Sequence, residues 1–200
     1  MKRFHAWLMA RVSGRYERLV EDRKRRLLGA FDGLILEIGP GTGPNLRYYS
    51  GRARWIGVEP NPFMHAYLLR AASRLSCAAD IRLCRGETLP ASDASVDAVV
   101  GTLVLCSVSD PAAVLREIVR VLKPGGRFVF VEHVAAPAGA RLRSLQRIFR
   151  PLWSALGDGC RLDQDTAALI ERAGFQEVFC EEFRLPLGLA APQIAGFAVK

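Results

Sequence analysis

The sequence lacks the cysteine patterns of a disulfide-bonded or zinc-binding domain. Its five cysteines are odd in number and scattered, and no two form a Cys-x-x-Cys pair. No metal site is therefore predicted. Cys106 and Cys160 are interpreted as small core residues, the usual setting of a free cysteine, with a place in the lining of the ligand site as the less favoured alternative. No apolar run approaches the ~20 residues that span a bilayer. Residues 1–10 do not have the pattern of a secretory signal, so a cytoplasmic location is expected.

Acidic residues are too few to balance the basic ones. The chain has 28 lysines and arginines against 20 aspartates and glutamates, and a formal net charge of +8. Much of the excess lies in residues 11–26 and 141–150, where apolar residues recur at helical spacing, and such charge runs are usually solvated helix faces. We therefore expect no nucleic-acid partner, and the oligomeric state is left open.

No internal repeat and no low-complexity linker interrupts the 200 residues, which are predicted to form one domain, residues 1–200. After an amphipathic helix over 4–28, short apolar strands alternate with helices. This alternation predicts an α/β fold, namely a doubly wound, mostly parallel seven-stranded sheet with helices on both faces. The predicted strands are 34–38, 54–58, 81–84, 96–102, 127–132, 176–180 and 195–199.

The helices between the strands carry their own start and stop signals. Asn61-Pro62 and Asp110-Pro111 each place a capping side chain before a proline at the first helical position. Proline and glycine then mark helix ends and interruptions. The predicted helices run from 61 to about Leu75, from 110 to 122, from 142 to 156 with an interruption at Pro151, and from 165 to 173 before Gly174.

The first predicted strand runs into a glycine-rich turn. Gly39, Gly41 and Gly43 follow at alternate positions, which allows a tight turn and close approach of the backbone to a ligand. A helix start is expected next, and its free backbone N–H groups would add to such a site. Pro44 stands where the dinucleotide fingerprint has its third glycine, which argues against a nicotinamide or flavin cofactor. By itself the pattern also fits a turn without a ligand.

Two acidic residues accompany this turn. Glu59 ends the second strand, in a place to accept hydrogen bonds from two ribose hydroxyls. Glu37 lies inside an apolar strand, and a buried carboxylate is costly unless it is paired. Its partner is either the ammonium group of a bound amino-acid moiety or nearby backbone N–H groups. The turn and the two acids together favour a nucleotide-type ligand site.

The string from Leu36 to Gly43 resembles motif I of the class I S-adenosylmethionine-dependent methyltransferases. This resemblance covers residues 34–132, with later motifs in the family's order at Leu89-Pro90, Ser95 to Val100, and Leu115 to Gly126. A narrower resemblance is to the branch that includes membrane-associated thiol S-methyltransferases. It is carried by Thr102 to Val108, Glu132-His133-Val134, Gly157 to Cys160, and Ala198-Val199-Lys200.

The resemblance implies S-adenosylmethionine as the cofactor, a Rossmann-like class I fold and a set of cofactor-binding residues. They are Glu37, Gly39, Gly41 and Gly43 around the methionine part, Glu59 and Pro60 at the ribose, Gly86 and Glu87 by the adenine, and Leu103 beside the sulfonium. Arg85 departs from the family pattern, in which an aspartate contacts the adenine amino group. The implied segments are an N-terminal helical cap (1–30), a cofactor-binding core (34–132) and an acceptor-side helical insertion (139–160).

Methyl transfer from a sulfonium is an in-line displacement, so the protein mainly supplies proximity, orientation and exclusion of water. A thiol with a pKa near ~8.5 is partly ionised at neutral pH and needs no strong base, and no catalytic triad is apparent. His133, directly after the fifth strand, is the first candidate for a catalytic base, and Asp158, in a glycine-flanked turn, is the second. A structural histidine bonded to backbone is the alternative for His133.

The acceptor is expected to be a small apolar molecule, with a thiol favoured. Phe4, Trp7, Phe149 and Trp153 supply apolar surface for its pocket, although core packing would explain them equally. The two basic amphipathic helices also leave peripheral membrane contact open. The alternatives are O- or N-methylation of a quinone-like or lipid-like small molecule, and a cofactor-binding module without catalysis.

Overall fold

The computed structural model describes residues 2–29, 31–73 and 79–200. The strands are β1 (Leu34–Ile38), β2 (Arg54–Val58), β3 (Ala79–Arg82), β4 (Val96–Thr102), β5 (Leu122–His133), β6 (Glu177–Arg184) and β7 (Pro192–Val199). The α-helices are α1 (Lys2–Leu28), α2 (Pro62–Ala72), α3 (Pro111–Val121), α4 (Arg141–Leu156) and α5 (Thr166–Glu171). Leu75, the predicted end of the second helix, lies outside the described residues.

Within these ranges, the seven strands form one sheet in the order β3-β2-β1-β4-β5-β7-β6. Neighbouring strands from β3 to β5 run parallel, whereas β7 pairs antiparallel with both β5 and β6. The prediction of a doubly wound, mostly parallel sheet is therefore confirmed. The order reverses between β1 and β4, which places a ligand-binding crevice at their carboxyl ends, beside Ile38 and Thr102.

Helices cover both faces of the sheet. On one face, α3 and α5 bury Val114, Ile118 and Ile170 in a single apolar cluster with the strands. On the other face, Leu28 at the end of α1 and Leu68 of α2 belong to a second cluster. Burial of these stripes supplies most of the helices' stability, because short helices are marginal by themselves.

The caps predicted from sequence are present. The Asn61 side chain accepts a hydrogen bond from the N–H of Phe63 at 3.1 Å, and that of Asp110 accepts one from Ala113 at 3.0 Å. In each case a proline occupies the first helical turn. Both helices thus begin where their sequences predict, α2 shortly after β2 and α3 after the longer loop that follows β4.

Several local predictions differ from the structure, among them the third strand, predicted as 81–84 and found at Ala79–Arg82, and the start of the fifth, predicted at 127 and found at Leu122. The glycine turn leads into a short 3-10 turn, Leu46–Tyr48, rather than an α-helix start. Helix α4 runs through Pro151 without the predicted interruption. The proline leaves the carbonyl of Arg147 without its helical donor, but both residues are exposed, so water can satisfy that group. No helix in the described ranges combines the length and apolar character that a bilayer span requires.

The antiparallel end of the sheet is longer than predicted. Strands β6 and β7 have eight residues each, and they pair over their full length, from Glu177 with Val199 to Arg184 with Pro192. Ladder hydrogen bonds between the two strands extend them beyond the apolar residues that mark them in the sequence.

Candidate cofactor and acceptor site

The glycine turn lies directly after β1, and all three glycines have the positive φ that other residues avoid. A Cβ atom at Gly39 would lie 2.8 Å from Val104, and one at Gly43 would lie 2.9 Å from Ala71. Gly41 differs, because the nearest atom to a Cβ there would be a backbone oxygen 4.0 Å away. Packing therefore requires glycine at the outer two positions, whereas Gly41 faces open space.

Glu59 connects the end of β2 to this turn. Its carboxylate is buried and accepts hydrogen bonds from the backbone N–H groups of Gly41, at 3.0 Å, and Asn61, at 2.8 Å. Burial raises the pKa of the carboxyl group, and the two N–H donors oppose that shift. Each oxygen uses one lone pair in these bonds and keeps another for an incoming hydroxyl. Pro60, next in the chain, is exposed.

Glu37 is held by side chains that the sequence did not single out. Its carboxylate accepts hydrogen bonds from Asn45 at 2.8 Å, Tyr49 at 2.9 Å and Trp55 at 3.0 Å. Burial raises its pKa, while these donors oppose the shift. Neither of the two expected partners, a ligand ammonium or backbone N–H groups, is needed to explain its burial. Among the described residues, however, none donates to the buried Oδ1 atom of Asn45.

The residues predicted at the adenine, Gly86 and Glu87, lie in the loop after β3. Gly86 is buried, and a Cβ atom there would lie 3.0 Å from Ile38. The carboxylate of Glu87 accepts weak hydrogen bonds from the N–H groups of Ser109 and Asp110, at 3.2 and 3.4 Å. Glu87 thereby joins the loop after β3 to the loop after β4, at the same edge of the sheet as the glycine turn.

Leu103 begins the loop after β4 in a strained backbone conformation, with φ of 57°. The next two N–H groups, of Val104 and Leu105, donate to one oxygen of Glu132 at 2.7 and 3.0 Å. Burial raises the pKa of Glu132 to about 7, against the effect of these donors. Sequence reasoning missed Glu132, although a carboxylate in an apolar strand is the same signal that identified Glu37.

His133 ends β5 and meets a cysteine rather than backbone. Its Nε2 atom lies 2.8 Å from Sγ of Cys160, which also accepts a hydrogen bond from the indole N–H of Trp153 at 3.1 Å. Sγ of Cys106 completes a group whose three ligand-type atoms all lie within 4.8 Å of one another. The structure thus brings together a histidine and two cysteines from three separate segments.

The group favours a charged histidine–cysteine pair. The Cys106 thiol and the His133 imidazole lower the pKa of Cys160 to about 4, although burial opposes them. Burial lowers the pKa of His133, but the adjacent Cys160 outweighs it and the pKa is raised. The Cys106 pKa is raised by its hydrogen bond to Cys160 and by burial. Both shifts favour a proton on His133 and a thiolate at Cys160, so the contact has the character of an ion pair.

Cys106 and Cys160 are both buried, as the sequence interpretation expected of core residues. Their contacts with each other and with His133 were not expected, and spacing along the chain gives no sign of them. Asp158, the second candidate base, lies in the same turn as Cys160 but is not part of the group. Its carboxylate is half-exposed and 3.8 Å from Nδ1 of His5.

The first turn of α1 reaches the cofactor side of the sheet. Besides the contact between His5 and Asp158, the carbonyl of Lys2 accepts a hydrogen bond from the Asn61 side chain at 3.2 Å. Asn61 is two residues from Glu59, whose pKa is raised slightly further by the charge of Asp158. The start of α1, the end of β2 and the turn after α4 therefore lie side by side.

The aromatic side chains expected at the acceptor pocket are mostly exposed. Trp153 contacts Cys160, whereas Phe4, Trp7 and Phe149 are 60%, 44% and 44% exposed. Trp7 stacks on Phe4, with the guanidinium of Arg11 4.1 Å from its ring centre. In this conformation the surface formed by the start of α1 is thus open to solvent.

Comparisons with known proteins agree with this arrangement. The family model described as a methyltransferase domain matches residues 36–130. The chain is 39% identical to the rat thiol S-methyltransferase TMT1B and 36% identical to the human thiol S-methyltransferase TMT1A. Both alignments include 100% of this chain and 87% of the relative.

Solved structures show the same fold. The crystal structure of the [4+2]-cyclase SpnF superposes with a TM-score of 0.71 over 92% of this chain and 80% of that one. Its sequence is 23% identical, so the similarity concerns the architecture of the sheet and helices.

Proposed function

Since this chain belongs to the family of S-adenosylmethionine-dependent methyltransferases that includes these thiol S-methyltransferases, we propose that its acceptor is the thiol group of a small apolar molecule. The chain is a class I methyltransferase, and its methyl donor is S-adenosylmethionine. The observation that carries the choice of a thiol is the extent of the similarity. It covers the whole chain, including α1 and α4 beyond the cofactor-binding core.

The described residues fit the donor. Open space lies over Gly41, and Glu59 keeps free lone pairs beside it, so this turn would hold the methionine part and the ribose. S-Adenosylmethionine, when bound, supplies a methyl group on a sulfonium that a nucleophile displaces in line. The chain then has to bind and orient the acceptor and exclude water. Gly86 and Leu103, at the same sheet edge, are proposed to line the adenine and acceptor ends.

His133 is poorly suited to act as a general base. Its Nε2 atom already faces Sγ of Cys160 at 2.8 Å, and the neighbouring Cys160 raises the pKa of the imidazole. A hydroxyl or amine acceptor would need a free base of suitable pKa. A thiol is partly ionised at neutral pH and needs no such base. The site therefore suits a thiol better than the quinone-like alternative.

The test is a matched acceptor series with purified protein and S-adenosylmethionine. Hexanethiol, hexanol and hexylamine share one apolar tail, and mass spectrometry identifies the methylated atom. We expect turnover of the thiol and at least ~10²-fold slower reaction of the other two, the range that a missing general base costs. Equal or faster methylation of the alcohol or amine would overturn the thiol assignment without affecting the methyl donor.

An apolar acceptor should also show a chain-length effect. Each buried CH₂ group contributes ~0.8 kcal/mol, which is about fourfold in affinity at 1.4 kcal/mol per tenfold. From ethanethiol to hexanethiol, kcat/KM is expected to rise steadily. A flat series would mean that the pocket does not bury the tail.

We propose further that α4 rests on a membrane surface, from which an apolar acceptor would reach the site. One side of α4 carries five apolar side chains that are 43–68% exposed, Leu145, Ile148, Phe149, Leu152 and Leu156. They recur at helical spacing, and the adjacent side is anchored by Gln146, whose buried amide bonds three backbone groups. Basic residues such as Arg141 and Arg147 complement anionic lipid. Location in the cytoplasm stays a prediction.

A further inference from the structure

We propose that Cys106, His133 and Cys160 form a binding site for one thiophilic divalent cation, with Zn²⁺ as its occupant. The three side chains come from the loop after β4, the end of β5 and the turn after α4. Their Sγ and imidazole nitrogen atoms lie within 4.8 Å of one another. The sequence predicted no metal site, because ligands this far apart in the chain form none of the short motifs that announce zinc.

The geometry is close to that of a tetrahedral site. Zinc lies ~2.3 Å from thiolate sulfur and ~2.0–2.1 Å from imidazole nitrogen, which at the tetrahedral angle places neighbouring ligand atoms about 3.5–3.8 Å apart. The contact between His133 and Cys160 is shorter, at 2.8 Å, and the longest separation is at most 4.8 Å. Shifts of about 1 Å or less would bring all three atoms to bonding distance of one ion.

The donor set and its surroundings point to a cation at the same place. Two cysteine sulfurs and one imidazole nitrogen are the ligand types that Zn²⁺ prefers. Glu132, the residue before His133, is fully buried, and within the described part of the chain no group donates to its Oε2 atom. A buried polar atom without a partner is costly, and a cation nearby would reduce that cost.

The ligands are held by rigid surroundings. The N–H of Arg161 donates to the carbonyl of Cys106 at 2.8 Å, which joins the two cysteine-bearing loops. Trp153 donates to Sγ of Cys160, an outer-shell contact of the kind that orients metal ligands. His133 is paired in register with Gln193 of β7. Three protein ligands leave a fourth position for water or a small ligand.

The experiment is a metal titration of the full chain, reduced and freed of metal with a chelator. We expect Co²⁺ to bind with one ion per chain and to produce a thiolate-to-cobalt charge-transfer band together with the visible bands of tetrahedral Co²⁺. Added Zn²⁺ should displace it and remove the absorption. Neither readout depends on methyl transfer, so the outcome is separate from that of the acceptor test.

Matched cysteine variants locate the site. Cys106→Ser and Cys160→Ser should each lose about half of the charge-transfer intensity and more than about a hundredfold in Zn²⁺ affinity, beyond the ~10–100-fold that outer-shell changes commonly cost. Cys84→Ser and Cys180→Ser, which lie outside the group, should bind as the parent does. Absence of the band in the reduced parent, or a band that survives unchanged in both cluster variants, would overturn the proposal.

Discussion

The Oε2 atom of Glu59 accepts a hydrogen bond from the backbone N–H of Gly41 at 3.0 Å. This contact joins the acid at the end of β2 to the one glycine of the turn that faces open space. Both residues were predicted to bind the donor from their places in the sequence. The structure adds that they form a single unit, so changes at either residue should affect the same ligand.

Replacing Glu59 by alanine should weaken binding of S-adenosylmethionine by roughly tenfold to over a hundredfold. A charge-assisted hydrogen bond contributes ~1.5–3 kcal/mol, and 1.4 kcal/mol corresponds to tenfold. Isothermal titration calorimetry measures the change. Glu117→Ala is the control, because Glu117 accepts a backbone hydrogen bond from Leu89 in the same way. Unchanged affinity in a folded Glu59→Ala protein would remove the ribose assignment.

Gly41→Val should abolish donor binding while the sheet stays folded. A side chain there would occupy the open space over the turn. The positive φ adds strain of ~1–2 kcal/mol. The variant Gly125→Val reproduces this strain at an exposed position near the start of β5, where φ is 77° and no atom lies near the Cβ position. Both variants should lose similar stability in urea unfolding, but only the first should lose the ligand. Retained binding would make the motif a simple turn.

His133→Gln should lower kcat/KM for a thiol acceptor by less than the ~10²–10⁴ that loss of a general base costs. The Nε2 atom of the imidazole is occupied by its contact with Sγ of Cys160, which also raises the pKa of His133, so the ring is poorly placed to take the acceptor's proton. A pH–rate profile provides the check. The parent and the variant should both follow the ionisation of the acceptor. A loss within the general-base range, with a limb near neutral pH missing from the variant, would mean that His133 removes the proton.

Asp97→Asn should destabilise the fold by about 1 kcal/mol, at the low end for hydrogen bonds because the side chain is half-exposed. Asp97 accepts hydrogen bonds from Lys123 at 2.6 Å and from the N–H of Leu34 at 2.7 Å. Burial raises its pKa, but these donors outweigh it and the pKa lies below its usual value.

A carboxyl group whose pKa is lower in the folded state contributes stability above its unfolded pKa, and the contribution is lost as the pH falls through the folded value. The difference in unfolding free energy between the parent and Asp97→Asn should therefore shrink below about pH 4. Urea unfolding at pH 7 and pH 3 measures it. Asp93→Asn, a highly exposed partner of Arg120, should change little. An equal difference in unfolding free energy at pH 7 and pH 3 would contradict an ionic origin of the stabilisation by Asp97.

Leu152→Glu should reduce binding to vesicles that contain anionic lipid by about tenfold or more, because an apolar side chain of this size contributes ~1.5–3 kcal/mol when buried. Ser144→Glu adds the same charge to an exposed site of α4 without removing an apolar group. Flotation with phosphatidylserine vesicles distinguishes the two. Equal losses would indicate charge attraction alone, and no vesicle binding by the parent would remove the proposed membrane contact.

Much of the fold and half of the site could be predicted from local patterns. Continuous apolar runs marked the strands, and the pairs Asn61-Pro62 and Asp110-Pro111 marked helix starts, because capping depends on neighbouring residues only. Alternate glycines after a strand indicated the turn at Gly41 for the same reason. Glu59 followed from its place at the end of the next strand. These features need no knowledge of distant contacts.

Other features depended on how the elements pack. Burial of a carboxylate at Glu37 was evident from the sequence, but its three partners became known only when Tyr49 and Trp55 were placed beside β1. Pro151 could remain within α4 because that side of the helix faces water. Neither outcome could be read from the residues around Glu37 or Pro151, since tertiary packing decides which groups are near and which are solvated.

The group of Cys106, His133 and Cys160 was decided entirely by the tertiary structure. Consecutive members of the group are 27 residues apart in sequence, and they lie in a loop, at a strand end and in a turn. The order of β4 and β5 in the sheet and the return of the chain after α4 bring them within 4.8 Å. Sequence spacing determines what one element presents on its own surface, whereas the chemistry between elements depends on their order and packing.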